Sequence, residues 1–150
     1  MTKIKVEIPE GMEVAGFDAA TAEVTLRPKP KDISGIRTLA DLLADQEMNA
    51  EEFEEQCKGL TADERAYRII KLLAKSLNQG WVPNWDDSGE YKYVPWFNMD
   101  GGSSGFRFGV VVYWSSASAV GSRLCFKSRE LAQHAGKYFL ETYRQFFVIE

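Results

Sequence analysis

The chain has 150 residues, 45% of them hydrophobic, with a formal net charge of −4. That length suits one domain with a substantial core, since a chain of this size buries roughly 70% of its unfolded surface. The acidic balance argues against a protein that grips duplex DNA by bulk charge. With no run of about 18 apolar residues and no secretory leader, the expectation is a cytoplasmic protein without membrane contact.

"KIKVEI" alternates strictly, with Ile4, Val6 and Ile8 on one side and charged residues on the other, and predicts a half-buried strand. A polar, Ala-rich connection with Phe17 follows, and "AEVTLRP" resumes the alternation with Val24 and Leu26 inward. The two strands are expected to form an antiparallel pair over residues 1–31. "RPKPKDISG" reads as an extended linker. Residues 32–60 then hold that linker's end and two short acidic helices, "TLADLLADQ" and "NAEEFEEQCK". Residues 1–60 carry 7 Lys and Arg against 13 Asp and Glu, whereas 61–150 carry 11 against 9.

Residues 61–150 are expected to form an α+β core. "TADERAYRIIKLLAKSLNQG" is the strongest helical pattern, with Thr61 and Glu64 at capping-box spacing and Gly80 as a left-handed stop. Ala66, Ile69, Ile70, Leu73 and Leu77 fall on one arc, and Arg65, Arg68, Lys71 and Lys75 on the opposite one. The basic arc is either a solvated face or an anion contact. "EYKYVPWF", "FRFGVVVYW" and "SRLCF" read as a three-stranded antiparallel sheet, with Pro95 marking an edge or a bulge. In the second strand Phe106, Phe108, Val110 and Val112 make the better core face. "KSRELAQHAGKYFLETYRQFFVIE" closes the chain as a long helix from Ser128, with Leu131, Ala135, Phe139, Tyr143 and Phe146 or Phe147 as its buried stripe.

Catalytic chemistry is hard to assemble from these residues. The single histidine, His134, lies on a helix, and Cys57 and Cys125 read as free thiols, so no nucleophile and base are paired by sequence. A tetrahedral His/Cys zinc site lacks a fourth ligand. "NWDDSGEYKYVP" places Asn84, Asp86, Ser88 and Gly89 like the start of a calcium loop, but Pro95 stands where the bidentate Glu is required. The expectation is no catalytic residue, no metal and no cofactor.

All four tryptophans, Trp81, Trp85, Trp96 and Trp114, fall in one stretch with six Tyr and Phe among them. Burying about five of these ten rings would contribute on the order of 10 kcal/mol before entropy is subtracted. A thin sheet covered on one side still leaves rings over, so Trp81, Trp85, Tyr91, Lys92, Trp96, Arg107 and Tyr113 are the candidate ligand-binding residues. Self-association or a protein partner is the preferred use. Single-stranded nucleic acid gripped by Arg65, Arg68, Lys71 and Lys75, with the rings as stacking platforms, is the alternative, and carbohydrate stacking is a third.

The stretches "IKVEIPEGMEV", "AEVTLRPK", "GWVPNWDDSGEYKYVPWF", "GFRFG" and "GSRLCFKSRELAQHAGKYF" resemble a group of small uncharacterised proteins encoded by phages and mobile elements of gut bacteria. That group typically opens on "IPEGYE", and here Met12 and Val14 stand where Tyr and an Ile-like residue are usual. The resemblance implies an accessory protein of phage or prophage origin in the bacterial cytoplasm, and no catalytic residue at any position.

Overall fold

A computed structural model describes residues 5–29, 31–119 and 121–150, and the chain divides into two compact units, residues 1–32 and 33–150. The class is α+β, with two small antiparallel sheets. In the first unit β1 (Met12–Asp18) pairs with β2 (Glu23–Pro28). The first strand therefore lies later than "KIKVEI" predicts: residues 5–9 form no strand, and Lys3 and Ile4 lie outside the described residues. The position of β2 is the reason. It ends at Pro28, and the bond from the Lys29 N–H to the Gly11 carbonyl, 2.8 Å, closes the ribbon just before Met12. The segment around Phe17, expected to be a connection, is the paired strand. Asp18 Oδ1 turns the chain by accepting the Ala20 N–H at 2.8 Å, an Asx turn. A bulge between Val14 and Gly16 keeps Val14 opposite Leu26 and Phe17 opposite Val24.

The second unit runs α1 (Leu39–Asp45), α2 (Ala50–Cys57), α3 (Ala62–Asn78), β3 (Lys92–Asn98), the single turn α4 (Gly102–Gly105), β4 (Arg107–Trp114), α5 (Arg129–Tyr138) and α6 (Leu140–Phe147). The first three helices each open on a capping box: Thr38 with Asp41, Asn49 with Glu52, and Thr61 with Glu64. The apolar arc of α3, Ala66, Ile69, Ile70, Leu73 and Leu77, is buried throughout. Leu42, Leu43 and Phe53 from the two short helices join it in one core with Phe126, Leu131 and Phe139. Ser76 hydrogen-bonds Asp45, tying α3 to α1. Gln79 (φ 51°) and Gly80 (φ 84°) then stop α3 in the left-handed region.

Among the described residues the sheet of this unit has two strands, not the three expected. Residues 122–126 make a turn, with Leu124 N–H on the Gly121 carbonyl at 2.8 Å, and touch β3 only through the bridge of Tyr93 with Phe126. The backbone there is satisfied by a side chain instead: Asn78 donates to the Cys125 carbonyl (2.9 Å) and accepts the Lys127 N–H (3.0 Å). A bulge shifts the β3–β4 register so that Trp96 faces Val110 while Phe97 faces Phe108. The extra residue is Gly109, and it overturns the expected alternation in β4. Phe106 is buried as expected, but so is Val111 from the other set, and Val110 is 51% exposed.

The C-terminal helical segment is divided at Phe139, whose φ of −110° and ψ of 27° interrupt the ladder between α5 and α6. Leu131, Ala135, Phe139 and Tyr143 are buried along it, and Tyr143 Oη has no hydrogen-bond partner among the described residues. α5 packs close against the sheet at Gly136, where a Cβ would stand 2.5 Å from the Phe108 ring and 2.9 Å from Pro95 Cβ. Helix propensity alone would favour Gly136→Ala by about 1 kcal/mol. Overpacking against the sheet reverses the sign, and a net loss of about 1–2 kcal/mol is expected in urea unfolding.

Candidate functional site

Residues 81–91 link α3 to β3 without regular structure, and one side chain organises them. Lys92 is fully buried, and its ammonium donates to three backbone carbonyls: Asn84 at 2.5 Å, Glu90 at 2.6 Å and Asp87 at 3.1 Å. The Glu90 carboxylate lies 3.6 Å away, and the Trp85 ring centroid 5.3 Å. Glu90 in turn accepts the Asn84 N–H (2.6 Å) and the Trp81 indole N–H (3.3 Å). Asn84 and Asp87 close Asx turns onto the Asp86 and Gly89 N–H groups. The loop with calcium-like spacing thus coils around an ammonium supplied by the chain itself. Among the described residues no group of three or more His, Cys, Asp or Glu is placed to hold a metal ion.

This loop forms one wall of a cleft of about 570 Å³. Trp81, Val82, Pro83 and Trp85 line it together with Lys71 and Lys75 from the last turns of α3 and with Arg123. No carboxylate among the described residues lines it. Lys71, Lys75 and Arg123 are exposed and have no ion pair among the described residues; Lys71 Nζ rests 4.6 Å from the Tyr67 ring centroid. The basic arc of α3 is therefore divided in two. Arg65 pairs with Glu54 at 2.5 Å and lies over Phe53, and Arg68 donates to Gln56 at 2.9 Å, so its N-terminal half is tied to α2. Its C-terminal half faces the cleft.

Asn78 and Cys125 also line the cleft. Burial pushes the Cys125 thiol from an ordinary 9.0 up to about 11, and its sulfur lies 3.4 Å from the Ser122 carbonyl, so it keeps its proton at neutral pH. His134 is committed elsewhere, with Nε2 2.6 Å from the Ile36 carbonyl.

The other predicted site residues lie apart from the cleft. Tyr91 and Tyr113 lie with ring centroids 4.3 Å apart and planes tilted by 31°, beside Tyr93, which has the Arg129 guanidinium 5.6 Å from its ring centroid. Trp96 is 57% exposed and borders an apolar groove of about 560 Å³ lined also by Leu124, Tyr143 and Phe146. Arg107 is held by Asp100 (3.1 Å) and the Gly105 carbonyl (3.0 Å). Lys92, predicted to face a ligand, is instead wholly engaged within the fold. None of the four indoles is buried: Trp96 is exposed, and Trp81, Trp85 and Trp114 are half-buried.

No helix among the described residues is long and apolar enough to cross a membrane. Comparison with protein-family models, with curated proteins and with solved structures returned no match.

Two outcomes follow from this geometry. Lys92→Met strands three carbonyls, each costing about 1–3 kcal/mol when left unpaired. A loss of at least about 3 kcal/mol is expected in urea unfolding, with red-shifted tryptophan emission from the freed loop. The raised Cys125 value makes the folded state bind the extra proton, so this contribution is complete below pH 9.0 and declines as pH rises toward about 11. Cys125→Ala removes this share of the alkaline decline, which thermal melts resolve best between pH 9.0 and 10.0, below the range in which the Tyr143 phenol, also pushed up by burial, adds its own.

Proposed function

We propose that the chain is a non-enzymatic binding module whose cleft takes single-stranded nucleic acid. The observation that carries this is the meeting of three unpaired cations, Lys71, Lys75 and Arg123, with Trp81 and Trp85 around one cavity that no carboxylate among the described residues lines. Phosphates would neutralise the cations, and an unpaired base would lie against an indole, worth about 1–3 kcal/mol per stacked base. A neutral sugar would use the rings but leave the three charges uncompensated. The chain's acidic balance confines such binding to this cleft, so a short unpaired segment suits it better than a duplex. The two groups most suited to covalent chemistry are occupied, with Cys125 protonated and His134 bonded to a carbonyl. An accessory role in the bacterial cytoplasm, as the resemblance to phage and mobile-element proteins implies, accords with this reading.

A fluorescein-labelled oligothymidylate provides the test. Anisotropy is expected to rise saturably with quenching of tryptophan emission, and log K to fall against log salt with a slope of about −2, the value for three phosphates on a single strand. Lys75→Glu and Arg123→Glu should each weaken binding at least about tenfold, while Arg65→Gln should leave it unchanged. Binding that ignores salt, or that survives both charge reversals, overturns the proposal.

A further inference from the structure

The outer edge of β4 has hydrogen-bonding groups that the fold leaves open. In an antiparallel pair the N–H and C=O of one residue point to the same side, alternating along the strand. Tyr93 exchanges both of its backbone bonds with Phe126, at 2.9 and 2.7 Å, so it points away from β4. Its partner Tyr113 must then point away from β3, and so must Val111, which faces Pro95 and its missing N–H. The Val111 carbonyl confirms the parity, because it accepts from Arg129 Nη1 at 2.9 Å. The Val111 N–H and both backbone groups of Tyr113 have no partner among the described residues.

A groove of about 430 Å³ runs along this edge, between Phe108–Val111 and one side of α5. The α5 side presents Arg129, Gln133 and Lys137, four residues apart, and no acid among the described residues lines the groove. Neither Arg129 nor Lys137 has an ion pair among the described residues. On the opposite face of the sheet, Val110 and Trp96 stand paired and exposed at 51% and 57%.

We infer that this edge receives an extended peptide segment of another protein, with acidic side chains directed toward α5 and apolar side chains on alternate positions toward Val110 and Trp96. The open backbone groups call for a strand, and the groove's charge selects carboxylates. A second copy of this chain fits less well. Antiparallel edge pairing about a two-fold axis would put both α5 helices on the same face and bring two sets of Arg129 and Lys137 together, and like charges so placed oppose association. The surface is separate from the cationic cleft and does not depend on it.

The probe is a fluorescein-labelled, amidated nonapeptide of alternating valine and glutamate, with an alternating valine–lysine peptide as control. The acidic peptide is expected to bind saturably and the basic one not at all. Val111→Pro, which removes the open N–H, and Lys137→Glu, an exposed charge reversal that leaves the core intact, should each weaken binding at least about tenfold. Lys75→Glu in the cleft should not change it. Absence of binding, equal binding of both peptides, or binding that survives Lys137→Glu overturns the inference. So does a concentration-dependent dimer of the chain alone, seen by sedimentation and lost in Lys137→Glu, which would make the occupant a second copy. Should Val111→Pro fail to fold, the Lys137→Glu result decides.

Discussion

A buried ammonium sets the geometry of the loop between α3 and β3. Taking a lysine out of water costs several kcal/mol unless its donors are satisfied. Lys92 meets that condition with the Asn84, Asp87 and Glu90 carbonyls and the nearby Glu90 carboxylate. The requirement works in both directions: the lysine needs a loop wrapped around it, and the loop needs a cation at its centre to satisfy its inward carbonyls. Because Glu90 also receives the Trp81 indole and Trp85 lies over the ammonium, the arrangement fixes two rings as well as the backbone. The cleft thus has a preorganised wall.

Charge is distributed with similar economy of position. Glu54 and Gln56 of α2 are answered by Arg65 and Arg68 of α3, while Lys71 and Lys75, one and two turns further along, have no ion pair among the described residues. A single amphipathic helix therefore serves as structural partner at one end and as an open positive surface at the other. Arg123, brought in by the turn before the Tyr93–Phe126 bridge, completes that surface. The β4 edge differs, because there the open groups belong to the backbone and the cations beside them to α5.

Local patterns in the sequence were readable where neighbouring residues decide the outcome. The capping box at Thr61 and the buried stripe of α3 depend on spacings of three and four, and they stand where those spacings place them. Distant partners account for the departures. Lys92 alternates with Tyr91 and Tyr93 like any surface lysine, and only the folded loop shows that it turns inward. Gly109 gives no sign in sequence that it is the extra residue of a bulge, yet it decides which β4 valine is buried. The gathering of Trp81 and Trp85 with Lys71 and Lys75 around one cleft is likewise a tertiary outcome, since the sequence places the rings and the basic arc on separate elements and gives no distance between them.

Asn78 links parts of the chain that lie 47 and 49 residues apart. Its amide is both donor and acceptor to the segment that bridges β3, so the last turn of α3 and the Tyr93–Phe126 bridge share a clamp across the floor of the cleft. Fraying of that helix end therefore loosens the bridge, and hydrogen exchange at the Lys127 amide will track the helix terminus although the two are remote along the chain. A ligand seated in the cleft would slow that exchange by holding the terminus closed, making the opening of this region a thermodynamic gauge of occupancy.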